Sequence, residues 1–150
     1  MKSNTPSENA TSRFEQGFSC SQSVFSVFAP EFGLSEEAAL KIASAFGGGM
    51  VRQGEVCGAV TGGLMALGLK YGSDKPDDED AVRQASQEFM RRFREKNGFI
   101  LCRELLGHKF DTPEGLATTQ ESGVFNTICP NLVQNATQLT TKFLTRKNSF

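Results

Sequence analysis

After Arg13 the apolar residues of this chain fall three and four positions apart, the spacing that lines one face of an α-helix. A short helix around Phe14 is expected to run into Gly17. The next starts at SCSQSVFSVFAPEFG, where Ser19 precedes Gln22 by three residues. That is a capping-box arrangement, in which side chains satisfy backbone N–H groups left open at a helix start. Val24, Val27 and Phe28 follow at helical spacing, and Pro30 with Gly33 marks the exit. LSEEAALKIASAFGGG repeats the logic. Ser35 is the cap, Glu36 and Glu37 suit the first turn, and Leu40, Ala43 and Ala45 supply apolar positions before Gly47 to Gly49 stop the helix.

The clearest helix lies in SDKPDDEDAVRQASQEFMRRFREKNG. Asp77, Asp78, Glu79 and Asp80 crowd its start and Arg91, Arg92, Arg94 and Lys96 its end, an order that complements the helix dipole. Ala81, Ala85, Phe89 and Phe93 form its buried stripe, and Gly98 closes it. The acidic run reads as a solvated helix start in preference to a cation site. ILCRELLG predicts a short helix ended by Gly107, and His108 to Gly123 reads as a loop containing Pro113 and Gly115. The last helix opens at TICPNLVQNATQLTTKFL, with Pro130 suited to a first helical position and Leu132, Val133, Ala136, Leu139 and Phe143 as its apolar face. No strand pattern or internal repeat is evident. The expected fold is all-α, a compact single-domain bundle of about six helices over residues 13–147. A Ser/Thr/Asn-rich disordered tail is expected at 1–12 and a short tail at 148–150.

Composition narrows the function. Hydrophobic content of 38% and charged content of 22% suit a globular chain. Sixteen basic against 17 acidic residues, a net charge of -1, give no electrostatic case for nucleic acid or an anionic membrane. The most apolar window, Val56–Leu69, is diluted by glycine and shorter than the ~20 apolar residues needed to cross a bilayer. MKSNTPSENATSRFEQ holds no apolar run of the secretory type, so a cytoplasmic location is expected. Cysteines in that compartment point to metal or redox chemistry over structural disulfides.

The four cysteines, Cys20, Cys57, Cys102 and Cys129, lie far apart and form no CxxC pair. Their places on the expected helices say more. Cys20 follows the cap Ser19, Cys57 follows the glycine-rich turn, Cys102 comes soon after Gly98, and Cys129 precedes Pro130. All four map to first turns, where open N–H groups and the positive dipole end favour a thiolate. The alternative is four cysteines simply packed in the core. Behind Cys57, Gly58, Gly62 and Ala66 fall four apart, as do Ala59, Gly63 and Leu67. Each interior glycine weakens a helix by roughly 0.5–1 kcal/mol relative to alanine, so close approach of another backbone should offset it. A tightly surrounded central helix with a thiol at its N-terminal end is expected.

GFSCSQSVFSVFAPEFGL, ASAFGGGM, GEVCGAVTGGLMALGLKYG and LCRELLG, with a later cysteine before the last helix, resemble the C-GCAxxG-C-C family of redox-active proteins. The second cysteine falls in Cys57-Gly58-Ala59 with Gly62, and Cys20, Cys102 and Cys129 match the first, third and fourth. The likeness runs from about Phe14 to Phe143. It implies a helical domain with a thiol or cluster centre.

Three functions compete. Cys20, Cys57, Cys102 and Cys129 are candidate ligands of an iron–sulfur cluster or of zinc, converging from separate helices. Alternatively Cys20 and Cys57, both in well-defined capping contexts, form a dithiol/disulfide pair. The third reading is a non-redox helical binding module. A redox partner protein or a small-molecule oxidant or reductant is implied by the first two. The thiols can meet within one chain or across a homodimer interface. Other chemistry is poorly supported: His108 is the only histidine and falls in a loop, Glu55 suits a helix start, and Arg103 is a helical neighbour pointing away from Cys102. GGGMVRQG lacks the lysine–serine ending of a phosphate-binding loop. With no acid–base set beside the thiols, electron transfer or redox sensing is favoured over turnover of a small substrate.

Overall fold

The computed structural model describes residues 3–147. Its α-helices are α1 (Pro6–Glu15), α2 (Cys20–Phe28), α3 (Glu36–Ala43), α4 (Gly58–Tyr71), α5 (Asp80–Asn97), α6 (Cys102–Leu106), α7 (Pro113–Ser122), α8 (Val124–Thr127) and α9 (Cys129–Leu144). Two 3-10 turns, Ala29–Phe32 and Ser44–Phe46, extend α2 and α3. Among the described residues β-structure is limited to one antiparallel bridge, Val56 with Leu101. The fold is all-α.

The caps read from sequence are formed. Ser19 Oγ accepts from Gln22 N at 3.3 Å while Ser19 N donates to Gln22 Oε1 at 3.0 Å. Ser35 Oγ accepts from Ala38 N at 3.1 Å. In α5, Ala85, Phe89 and Phe93 are buried and Ala81 is half-buried. In α3, Ala39 and Ala43 face the core while Ala45 lies exposed on the following turn.

Two segments differ from the sequence reading. Residues 6–12, expected as a disordered tail, belong to α1; residues 1–2 and 148–150 lie outside the described residues. The reason is a complete capping box. Thr5 Oγ1 accepts from Glu8 N at 3.2 Å, Thr5 N donates to Glu8 Oε2 at 3.0 Å, and Pro6 occupies the first turn. Ala10 is fully buried, α1 packs on α2 and α9, and Arg13 pairs with Glu36 at 3.2 Å. The polar residues that look tail-like are its solvent face. The His108–Gly123 stretch, expected as loop, contains α7 and ends in the left-handed Gly123. Thr112 Oγ1 caps Gly115 N at 3.0 Å and Pro113 stands in the first turn. These helices and the short α8 bring the bundle above the expected six.

α4 is the pivot of the bundle. Its first three turns carry seven buried residues, Gly58, Ala59, Val60, Gly62, Gly63, Ala66 and Leu67, and it packs against α2, α5 and α9. Its glycines lie where those neighbours come closest. A Cβ on Gly62 would lie 2.9 Å from Ser21 O and 3.0 Å from Val24 Cβ of α2. One on Gly63 would lie 2.5 Å from the Phe89 ring of α5 and 2.7 Å from Thr140 Oγ1 of α9. The far end is tied down by Lys70 Nζ and Tyr71 OH, which donate to the Leu144 and Phe143 carbonyls of α9.

Gly68, on the same helix, has open space where a Cβ would go, and this contrast gives a test. Gly68→Ala should raise unfolding free energy by about 0.5–1 kcal/mol through helix propensity. Gly62→Ala should lower it by about 1–3 kcal/mol through overpacking against α2. Urea unfolding of both variants checks this, and a stabilising Gly62→Ala would contradict the close α2–α4 approach.

Candidate functional site

The structure places all four cysteines at helix starts. Cys20, Cys102 and Cys129 are the first residues of α2, α6 and α9, and Cys57 is the N-cap of α4. All four are free thiols and all are buried, at 9%, 1%, 5% and 4% exposure for Cys20, Cys57, Cys102 and Cys129.

Two local devices bring the helix starts together. The first is the glycine contact between α2 and α4. A Cβ on Gly58 would lie 3.0 Å from Ser21 N and 3.3 Å from Cys20 Cβ, so only glycine lets the Cys57 end of α4 sit against the Cys20 end of α2. The second is a short backbone ladder. Cys57 N donates to Ile100 O at 2.9 Å, Cys102 N to Glu55 O at 2.7 Å and Arg103 N to Gly54 O at 3.2 Å. These bonds hold the starts of α4 and α6 side by side, and the Arg103–Glu55 ion pair at 3.2 Å fastens them from outside.

A strained loop covers the site. Gly48, Gly49, Met50, Val51 and Arg52 have φ of 70°, 69°, 63°, 54° and 62°, a continuous left-handed run that includes the β-branched Val51. Left-handed backbone costs non-glycine residues roughly 1–2 kcal/mol each, and such strain persists only where surrounding contacts enforce it. Here they do. Arg52 N donates to Gly47 O at 3.1 Å, Gly54 N to Gly48 O at 3.2 Å and Glu55 N to Gly49 O at 3.0 Å. A Cβ on Gly49 would lie 2.8 Å from Cys102 Cβ, and one on Gly47 would lie 2.4 Å from Ser19 Cβ. The loop therefore rests on two of the helix starts that carry thiols.

The four thiols interact electrostatically within one chain. Cys20 and Cys129 act on each other most strongly, and their interaction raises the Cys20 pKa and lowers that of Cys129. Burial and negative charge on Cys57, Cys129 or Cys102 push Cys20 up further. Cys129 therefore holds the anionic position of the pair and Cys20 the proton. Burial raises Cys57 from 9.0 to about 11; the N–H groups of Ala59 and Val60 pull it down in part, though neither completes a capping hydrogen bond. Burial, followed by the charges of Cys57 and Cys129, also raises Cys102. Ser23, three residues beyond Cys20, is buried with no hydrogen-bond partner for its Oγ among the described residues.

Among the described residues no three of the cysteine, histidine, aspartate and glutamate side chains are disposed to hold one ion. His108 is half-buried after Gly107 and its backbone N–H bonds Arg103 O, outside the thiol contacts. The Cys20–Cys129 contact, the ladder and the left-handed loop were not legible as sequence motifs; the triple glycine alone signals a special turn.

These features define a helical domain with a buried four-cysteine centre. The chain matches, over residues 18–143, the family described as "Putative redox-active protein (C_GCAxxG_C_C)", and it belongs to that family. The motif in the family's name has glycine before its cysteine; here Gly58 follows Cys57, while Ala59 and Gly62 keep the alanine-to-glycine spacing. No curated protein and no solved structure matches the chain. Among the described residues no helix is long and apolar enough to cross a membrane.

The Cys57 shift carries a pH signature. Burial favours the neutral thiol, so the folded chain keeps a proton that the unfolded chain releases above pH 9.0. The stabilisation is complete below that pH and is lost as pH rises through about 11, a change of roughly 2–3 kcal/mol. Urea unfolding between pH 8 and 11 should show a steeper loss for the unaltered chain than for Cys57→Ser. Parallel profiles would refute the shift.

Proposed function

We propose that this chain is a thiol–disulfide redox protein whose working pair is Cys20 and Cys129. The observation that carries this reading is that α2 and α9 pack together with Cys20 and Cys129 as their first residues, and that the two thiols shift in opposite directions, Cys20 up and Cys129 down. Cys129, at the start of the long α9, is the nucleophile; Cys20 holds the proton until the second step. We favour this pair over the Cys20–Cys57 pair expected from sequence because Cys129 is the thiol whose pKa is lowered.

The electron acceptor is a low-molecular-weight disulfide, small enough to approach thiols this buried. The Cys129 thiolate attacks one sulfur of that disulfide, its S–S bond breaks, and the departing thiolate takes a proton from solvent. Cys20 then gives its proton to the remaining acceptor sulfur as it attacks Cys129. The Cys20–Cys129 disulfide forms and the second small thiol leaves. The protein loses two electrons and the one proton of Cys20, solvent supplies the second proton, and one acceptor disulfide becomes two thiols. Run in reverse, the same steps reduce the centre, which suits electron transfer or redox sensing in a cytoplasmic setting. Cys57 and Cys102 remain protonated and frame the pair. Because the Gly47–Gly54 loop packs against the helix starts, its displacement is the route of access, and its left-handed strain lowers the cost of opening.

Oxidation with hydroxyethyl disulfide, followed by alkylation and peptide mass mapping, tests the pair. The expected product is a Cys20–Cys129 disulfide, with two of the four thiols lost and recovered on reduction. Cys20→Ser and Cys129→Ser should each abolish the intramolecular disulfide, whereas Cys57→Ser and Cys102→Ser should retain it. A disulfide joining Cys57 to Cys102, or four inert thiols, would overturn the assignment.

A further inference from the structure

A second concave site lies where the start of α1, the last turns of α5 and the middle of α9 meet. It encloses about 590 Å³, within the range of small-molecule sites. None of its lining residues is a cysteine or the chain neighbour of one, so it stands apart from the thiol centre and does not rest on the redox reading.

Its lining joins an apolar floor to a cationic rim. Pro6 and Leu139, both half-buried, supply the floor, with the nearly buried Phe93 beneath it. Arg92, Lys96 and Lys142 supply three positive charges, and no carboxylate lines the cleft. The whole chain carries 16 basic against 17 acidic residues, so this excess is local and is not the overflow of a basic protein. Lys96 and Lys142 make no ion pair among the described residues. Arg92 is held at 2.7 Å by Glu88, which Arg146 also pairs at 3.1 Å. Even with Glu88 and Arg146 included, cations outnumber acids by three.

The polar groups within the cleft are ordered. Asn97 Nδ2 donates to the Phe93 carbonyl at 3.0 Å, and Asn135 Nδ2 donates to Asn97 Oδ1 at 2.9 Å. The first bond covers a carbonyl at the negative end of α5, which would otherwise repel an anion. Two lysines without an ion pair and the Glu88-held Arg92, over a part-apolar, part-amide surface, suit a ligand with an apolar body and a doubly charged head. A neutral apolar ligand would leave the cations unused, and a bare inorganic anion would leave the floor wet.

We infer that this cleft binds a small phosphate ester with an apolar body, its phosphate held by Arg92, Lys96 and Lys142 and its body lying on Pro6 and Leu139. Arginine and lysine are the side chains suited to phosphate, the first by its fork and the second as a point charge.

The test is a backbone-amide NMR titration of the full chain with phenyl phosphate, alongside benzyl alcohol and inorganic phosphate. Phenyl phosphate should produce saturable shifts confined to residues 5–7, 92–97 and 135–142, weakening as salt rises. Benzyl alcohol should produce none there, and inorganic phosphate should bind more weakly. Lys96→Gln/Lys142→Gln should weaken phenyl phosphate binding by about tenfold, equivalent to about 1.4 kcal/mol. Both lysines are exposed, so the variant's melting temperature should match the parent and an unfolded variant is readily recognised. No saturable shift with phenyl phosphate, equal affinity in the double variant, or equal binding of benzyl alcohol would overturn the inference.

Discussion

The close approach of α2 and α4 is the constraint on which the rest of the structure depends. At Gly58 and Gly62 the α4 backbone comes so near α2 that a single added methyl would meet Ser21 and Val24. A helix that gives up side chains there loses propensity and gains proximity. That proximity places the first turn of α4 beside the first turn of α2. The Cys57–Ile100 and Cys102–Glu55 backbone bonds then bring α6 alongside, and α9, packed on both α2 and α4, delivers the fourth start. The first turns of four helices are thereby gathered near the sulfurs, and a helix N-terminus favours the thiolate at Cys129, the one thiol whose pKa is lowered.

Two opposing effects then set the state of each thiol. Burial drives all four towards the neutral form, and it prevails at Cys57 and Cys102. Only at Cys129, beside Cys20, does the shift run the other way, towards the thiolate. One reactive sulfur beside one proton-bearing sulfur is the electrostatic basis of a dithiol centre. The left-handed Gly48–Arg52 run fits the same picture. A covering loop held in a relaxed conformation would be harder to open, whereas strain distributed over Met50, Val51 and Arg52 is released on opening.

Much of this architecture was legible along the chain, because helix starts announce themselves locally. Ser19 with Gln22, Ser35, and the acid-to-base gradient of α5 each involve residues a few positions apart, and the fold class followed from their periodicity. The same signal was present at Thr5, Pro6 and Glu8 and at Thr112 and Pro113, where polar composition obscured it. The four cysteines could be assigned to helix starts for the same reason. Which thiol faces which could not, since that depends on the rotation of α9 relative to α2, set by packing of residues more than a hundred positions apart. Nor could the left-handed run be foreseen, because Val51 by its own preference opposes it and only the contacts with Gly47, Gly49 and Glu55 impose it. The cationic cleft is legible only in three dimensions, drawing on α1, α5 and α9 at once.

The measurement that bears most directly on the account is made on the chain purified without oxygen, with iron, zinc and acid-labile sulfide counted per chain beside a free-thiol titration. The account predicts a colourless, metal-free protein with four titratable thiols, of which two disappear on mild oxidation and return on reduction. Brown protein carrying iron and sulfide in proportion, or one zinc per chain shielding the thiols, would contradict it and make the four cysteines ligands of a metal centre.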